Sequence, residues 1–132
     1  MTNTYATDWS WLVLLADFDN DWKTEVFVSN GIVKRPNDLD YINYISEVKF
    51  SSDALNERDK IRKEIIDEMP TLKISNVLFK NLGDLSFESV DKASLVAPTF
   101  STGAAYADLD NDGDLDLVIK NINQGASVYK NT

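Results

Sequence analysis

One acidic run, residues 108–116, constrains this chain more than any other feature. Its sequence is Asp-Leu-Asp-Asn-Asp-Gly-Asp-Leu-Asp, so five carboxylates occupy every odd position of nine residues. If the run closes into a loop, each close pair of like charges costs roughly 1 kcal/mol even in water, and more where solvent is thin. A bound cation that prefers oxygen ligands removes this repulsion. The run therefore predicts a metal site.

The spacing of the carboxylates points to calcium. A calcium loop of the EF-hand type takes ligands from positions 1, 3 and 5, turns tightly at a glycine in position 6, and adds a backbone carbonyl at position 7. Counted from Asp108, the glycine is Gly113, where such a loop needs a positive φ. Position 12 is Ile119 instead of a bidentate Glu, so the last ligand is predicted at position 9. The predicted ligands are Asp108, Asp110, Asp112, Asp114 and Asp116.

An acidic surface turn is the alternative interpretation of this run, because Asp-Gly and Asn-Asp pairs are common in hairpins. A solvated turn does not require strict alternation of carboxylates. The flanking residues, 103–107 and 115–119, also favour strands over helices, since the second segment is rich in β-branched residues. The sequence thus predicts a calcium loop that joins two strands.

The same strand, loop and strand occur earlier in the chain, which indicates an internal repeat. An apolar run over residues 9–16 is followed by Asp17-Phe-Asp-Asn-Asp21, 91 positions before the second acidic run, and then by Val26-Phe-Val-Ser29. The predicted ligands here are Asp17, Asp19, Asp21 and Glu25.

This earlier loop is predicted to be the weaker site. Position 6 is Trp22, and a non-glycine residue at positive φ costs on the order of 1 to 2 kcal/mol. Position 7 is Lys23, whose ammonium repels a cation. A register in which the glycine is deleted and Trp22 takes the next position stays open, and so does calcium binding at this loop.

Residues 100–119 resemble the FG-GAP/VCBS repeats of β-propellers, which occur in integrin α-subunit propellers and in many bacterial surface proteins. Lys120-Asn-Ile122 replaces the Gly-Ala-Pro element of the integrin form, which favours the bacterial VCBS branch, including relatives of the cartilage acidic protein type. The resemblance implies a fragment of a β-propeller of about two blades, with calcium loops between first and second strands. It also implies a non-catalytic binding or structural module of an exported protein, at an extracellular, periplasmic or cell-surface location.

The two loops start 91 residues apart, whereas an ordinary blade has about 40 to 50 residues, so either an unseen blade or a large insertion lies between them. Residues 30–72 show helical spacing and not strand patterns, so we predict a mainly β fold with a helical insertion at about residues 30–72. Within it, a short helix covers 38–46, and a second helix follows a cap at Ser52-Asp53 and ends at Pro70. The first blade, residues 1–99, is predicted to have strands over 11–16, 26–29, 75–80 and 85–90, with a turn at 81–84. The second blade, residues 100–132, is incomplete, with strands over 103–107, 117–120 and 127–130.

Composition excludes several other functions. The net charge is −9, and nine of the 22 acidic residues lie in the two loops, so the basic patch that nucleic-acid binding needs is absent from the sequence. The chain has no Cys and no His, which excludes thiol chemistry, disulfides and the usual zinc sites. The apolar run at 9–16 is too short for a membrane span and lacks the charged start of a signal peptide, so any export signal is expected outside this chain.

Two function classes remain. We predict a calcium-binding module and no enzyme; the alternative is a carboxylate-based glycan-active enzyme. A calcium loop needs its carboxylates ionised, whereas a general acid keeps one protonated.

Besides calcium, the expected partner is the remainder of a longer propeller or another copy of this chain, since two blades do not close a ring of four to eight. A protein or a glycan is the expected class of ligand, with no residue assigned to it.

Overall fold

The computed structural model describes residues 2, 4, 7–51, 58–90 and 97–132, and over them the chain is mainly β, with seven strands and two helices. The strands form two antiparallel sheets. The first sheet consists of β1 (Ser10–Ala16), β2 (Glu25–Asn30), β3 (Val77–Gly83) and β4 (Ser86–Val90), in that order. The second sheet consists of β5 (Ser101–Ala107), β6 (Asp116–Asn121) and β7 (Ser127–Tyr129).

The two sheets repeat one another in register, which confirms the predicted internal repeat. Every paired residue of β5 and β6 lies 91 positions after its counterpart in β1 and β2. Even the irregularity is shared, because the register shifts between Ser10 and Leu12 in one sheet and between Ser101 and Gly103 in the other. The third strands correspond with an offset of 50, so that Phe79 and Tyr129 occupy equivalent places.

The core lies between the facing sides of the two sheets. Phe27 of the first sheet is fully buried and clusters with Leu117 and Ile119 of the second. Leu14, Leu78, Ala104 and Tyr129 pack against this cluster. Burial of a Phe or Leu side chain stabilises the fold by about 1.5 to 3 kcal/mol, so this small cluster holds the two sheets together.

A buried polar network also connects the two sheets. The Asn76 carbonyl oxygen Oδ1 accepts the Asn30 backbone N–H at 2.9 Å, and Asn76 Nδ2 donates to Ser101 Oγ at 3.0 Å. Ser101 Oγ in turn donates to Asn121 Oδ1 at 2.9 Å. All four residues are buried. Since unpaired buried polar groups are costly, this satisfied network fixes how the strands meet.

Residues 33–72 form a compact unit of their own, which contains α1 (Leu39–Ser51) and α2 (Arg58–Asp67). Asp38 caps α1, because its Oδ1 accepts the Tyr41 backbone N–H at 3.1 Å. The buried Tyr41 hydroxyl donates to the Ile65 carbonyl at 2.6 Å, and burial raises the pKa of this hydroxyl. Lys34 Nζ donates to the Asp67 carbonyl at the end of α2, a favourable place for a cation.

The helices differ in extent from the prediction. The first helix was predicted over 38–46 but runs to Ser51, because no proline or glycine interrupts that stretch. The second ends at Asp67, three residues before Pro70, in agreement with the effect of proline on the residues before it. The predicted cap at Ser52-Asp53 lies outside the described residues.

The hairpin of β3 and β4 also corrects the prediction. The turn is Asp84-Leu85 and not residues 81–84, and both residues have positive φ, 49° and 57°. A two-residue type I′ turn requires this conformation at both central positions. Gly83 (φ 86°) instead lies in the register shift that ends β3, so the glycine serves the bulge and Leu85 belongs to the turn.

Candidate metal centre

Each sheet carries an acidic loop between its first and second strands, as predicted. The first acidic loop comprises residues 17–25 and the second residues 108–116. In each, the aspartates at positions 1, 3 and 5 offer carboxylate oxygens that all lie within 4.8 Å of one another: Asp17, Asp19 and Asp21, and Asp108, Asp110 and Asp112. Oxygens bound to one calcium at about 2.4 Å lie no more than about 4.8 Å apart. Both triads therefore fit calcium in distance and in ligand type.

The aspartate at position 1 organises each loop. Asp108 accepts the backbone N–H of Asp112 at 3.2 Å on Oδ1 and that of Gly113 at 3.1 Å on Oδ2. Asp17 makes the same two contacts with Asp21 and Trp22, at 3.1 and 2.9 Å. A carboxylate that accepts successive amides in this way holds the turn closed around its own oxygens.

The aspartate at position 5 accepts the N–H of position 7 in both loops. Asp112 Oδ1 takes the Asp114 N–H at 3.1 Å, and Asp21 Oδ1 takes the Lys23 N–H at 2.9 Å. The Asp114 amide, assisted by Lys130, lowers the pKa of Asp112. The Lys23 ammonium, 2.9 Å from Asp21 Oδ2, lowers the pKa of Asp21. Both carboxylates are thereby favoured in the ionised form, which a cation site needs.

The acids at position 9 lie outside the two triads and close the loops instead. Glu25 and Asp116 are each 2% exposed. Asp116 Oδ2 accepts the Leu109 N–H at 3.0 Å, while its Oδ1 accepts the Asn131 N–H at 2.9 Å. Glu25 makes the equivalent contacts with Phe18, at 2.9 Å, and Asn81, at 3.5 Å. Glu25 thus ties the start of its loop to β3, and Asp116 ties the start of its loop to the residues that follow β7.

Asp114, the remaining predicted ligand, also lies outside the triads. Its Oδ1 accepts a hydrogen bond from Asn20 Nδ2 of the first loop at 2.5 Å. Phe18 and Tyr106 stack edge to face with ring centroids 5.8 Å apart, and Asn131 Nδ2 donates to the Phe18 carbonyl. The two acidic loops are therefore neighbours at one end of the paired sheets, next to a cavity of about 320 Å³.

Position 6 shows the difference between the loops. Trp22 has φ 66° where Gly113 has φ 93°, and Asn20 and Asn111 match at 56° and 62°. The structure thus places Trp22 at position 6, and the alternative register with a deleted glycine is wrong. The Trp22 side chain is 96% exposed, so little packing offsets the strain of this conformation.

We expect Trp22→Gly to stabilise the chain. Removal of Cβ relieves about 1 to 2 kcal/mol of strain, against about 0.5 to 1 kcal/mol for the greater freedom of an unfolded glycine. Urea unfolding should show a higher midpoint with an unchanged m value. The matched control is Trp22→Ala, which removes the indole but keeps Cβ. An equal gain in both variants would attribute the effect to the exposed indole and contradict the strain argument.

A lysine in β3, or directly after β7, contacts each triad, which sequence reasoning missed. Lys80 Nζ contacts Asp19 Oδ2, and Lys130 Nζ contacts Asp110 Oδ2 and lies 3.3 Å from Asp112 Oδ2. The Asp19 and Asp110 carboxylates raise the pKa of these two lysines. The sequence does hold a signal for them, since an aromatic-Lys-Asn triple occurs at 79–81 and again at 129–131.

Comparison with known proteins finds a similarity over one part of the chain. A family model for the FG-GAP-like repeat matches residues 74–119, from the third strand of the first sheet to the second strand of the next, including the second acidic loop. This confirms the predicted resemblance at the level of the FG-GAP-like repeat. No curated protein and no solved structure matches the chain. Such repeats are typical of β-propeller-type modules that bind or support without catalysis, in extracellular or surface proteins. Among the described residues, no helix combines the length and apolarity needed to cross a membrane.

Proposed function

We propose that this chain is a calcium-stabilised segment of a β-propeller of the VCBS branch, acting as a non-catalytic binding or structural module of an exported protein. One observation carries the proposal: two acidic loops at equivalent places in two sheets each gather three aspartate carboxylates within 4.8 Å. The same hydrogen bonds recur in both loops, so the arrangement belongs to the repeat and not to one local turn. The family match over residues 74–119 supports the module.

The ligand chemistry supports calcium over a transition metal. Both triads consist only of carboxylate oxygens, the ligands of hard cations, and the chain has no His or Cys to favour zinc or copper. Asp108, Asp110 and Asp112 would hold the ion in the second loop, and Asp17, Asp19 and Asp21 in the first. A bound calcium supplies the positive charge that offsets their mutual repulsion.

The chain's own residues prepare these sites. The amides of Asp112 and Gly113 fix Asp108, and the Asp114 amide fixes Asp112, so backbone hydrogen bonds position two carboxylates of the second triad. Lys130 partly neutralises the triad from outside the loop, where it competes with a cation for Asp110 and Asp112. We propose the second loop as the stronger site because glycine adopts the φ of position 6 without strain.

The alternative, a carboxylate-based glycan-active enzyme, requires an acid that donates a proton. The two buried acids of the loops, Glu25 and Asp116, accept backbone N–H groups on both of their oxygens. These contacts use them as acceptors that close the loops. The arrangement therefore favours the non-catalytic module over the enzyme. We propose that its ligand is a protein or a glycan and that it works within a longer propeller or an assembly of copies.

Calcium titration of the whole chain by calorimetry tests the proposal, with thermal melting in calcium and in chelator beside it. Binding to the native state alone stabilises by about 2.7 kcal/mol at a hundredfold excess over the dissociation constant. We expect a higher melting temperature in calcium and a smaller effect of magnesium, which demands stricter octahedral geometry. One bound calcium per chain indicates the second loop alone, and two indicate both. Identical melting in calcium and chelator contradicts the proposal.

A further inference from the structure

Each sheet has two faces, and the chain uses one face of each to join its own two sheets. The inner face of the first sheet presents the cross-strand row Leu14, Phe27 and Leu78. The inner face of the second sheet presents Ala104, Leu117, Ile119 and Tyr129. Because side chains alternate along a strand, the neighbouring residues form outer faces that point away from this interface.

The repeat makes each outer face the counterpart of the other sheet's inner face. The outer row of the second sheet is Ala105, Val118 and Val128. These residues occupy the places that Leu14, Phe27 and Leu78 hold in the first sheet. The outer face of the first sheet likewise corresponds to the inner face of the second, with the rows Val13-Val28-Val77 and Leu15-Val26-Phe79. The outer face of the first sheet thus corresponds to the inner face of the second, and the outer face of the second corresponds to the inner face of the first. Two outer faces can therefore pack against each other in the way that the two inner faces do.

Both outer faces leave apolar side chains open to solvent. Val13 and Leu15 are 53% and 58% exposed on the first sheet, and Val128 is 63% exposed on the second. Val28 and Phe79 are already buried, so the open part of the first outer face lies along β1. Within the chain, β5 lies against β1 and β2. The exposed outer side of β5 includes Ala105. Contact between the exposed side of β1 in one molecule and the exposed side of β5 in another would therefore repeat the packing of β5 against β1 within the chain.

From this relation we propose that a second copy of the chain docks head to tail, with the outer face of its first sheet against the outer face of the second sheet of its neighbour. The occupant is a second copy because the complementary surface is present on the same chain and continues an interface that the fold already contains. Two different patches meet, so the contact is heterologous and can extend to further copies or close into a ring. The inference rests on the repeated registers and does not depend on calcium binding.

Two charge variants test the docking by complementation. Leu15→Lys disables the outer face of the first sheet, and Val128→Lys disables that of the second. Both side chains are exposed, so both variants are expected to fold. Sedimentation of the full chain should show concentration-dependent association for wild type, weakened more than about tenfold in either variant alone, since a buried unpaired charge costs more than the 1.4 kcal/mol that a factor of ten represents.

Sedimentation of a mixture of the two variants decides whether the two outer faces bind each other. Leu15→Lys keeps an intact second-sheet face and Val128→Lys an intact first-sheet face, so an equimolar mixture should form a pair that does not grow further. The matched control is Leu85→Lys, another exposed leucine, on the β3–β4 turn, which should associate as wild type does. A wild-type monomer at every concentration overturns the proposal. So does a mixture that stays monomeric, or association that survives in Val128→Lys alone, which would indicate a symmetric contact through the first sheet.

Discussion

Under the proposed function, Asp112→Asn is expected to remove calcium binding at the second acidic loop, and with it the stabilisation by calcium. The asparagine carbonyl can still accept the Asp114 N–H that Asp112 Oδ1 accepts at 3.1 Å, so the loop keeps its turn. It loses one of three converging anionic ligands, and charge count sets affinity at such sites. At saturating calcium, the variant should melt on the order of 10 °C below wild type, which corresponds to about 2.7 kcal/mol. In chelator, the two proteins should melt at similar temperatures.

Scanning calorimetry in calcium and in chelator measures this difference. Asp110→Asn should behave in the same way, because Asp110 belongs to the same triad. The matched control is Asp84→Asn, which removes the same charge from an exposed turn outside both acidic loops. A variant of Asp112 that still gains the full calcium stabilisation would show that the triad is not the site. A loss shared by the Asp84 variant would assign the effect to net charge.

Strands and loops were predictable from the sequence because their signals are local. The β-branched residues after the second acidic loop and the alternation of aspartates within it are each contained in fewer than ten residues. The same holds for the unfavourable tryptophan at position 6, which the structure shows at φ 66°. The hairpin turn was misplaced because Gly83 is the obvious turn residue, yet the bulge that ends β3 uses it and Leu85 adopts a positive φ instead.

Contacts between distant residues could not be predicted in this way. Lys80 reaches Asp19 from 61 positions away, and the Asn76 amide meets Ser101 across the two sheets. Such contacts depend on which residues the strand registers bring together. The repeat itself hid the lysines, since the insertion shifts the third strand to an offset of 50 while the first two strands keep 91. A search at one fixed period does not align residues 79–81 with 129–131.

The polar network between the sheets was likewise invisible in the sequence. Asn30, Asn76 and Asn121 read as turn or strand-end residues, where asparagine is ordinary. They are buried because the end of β2 packs against the start of β5. This packing depends on Gly31, the residue directly after β2.

Gly31→Ala is expected to destabilise the chain by about 3 to 5 kcal/mol, the upper range for a single substitution. A Cβ on residue 31 would lie 2.6 Å from Phe100 Cα and 2.6 Å from the Ser101 backbone nitrogen. These are backbone atoms that cannot rotate aside, and Gly31 also has φ +151°, which alanine adopts only with strain. The residue is held from both sides, because its N–H donates to the Trp9 carbonyl at 3.0 Å and its own carbonyl accepts from Trp11 Nε1 at 2.5 Å.

Urea unfolding measures the loss as a lower midpoint at constant m value. Gly125→Ala is the matched control, since a Cβ there meets nothing within 4 Å, and it should change stability by less than about 0.5 kcal/mol. If both glycine variants unfold at the wild-type midpoint, the close approach of residue 31 to β5 is not how the sheets meet. If both fall equally, the cause is the loss of glycine as such. Only a large loss of unfolding free energy that is confined to Gly31→Ala supports direct backbone contact between the two sheets at this residue.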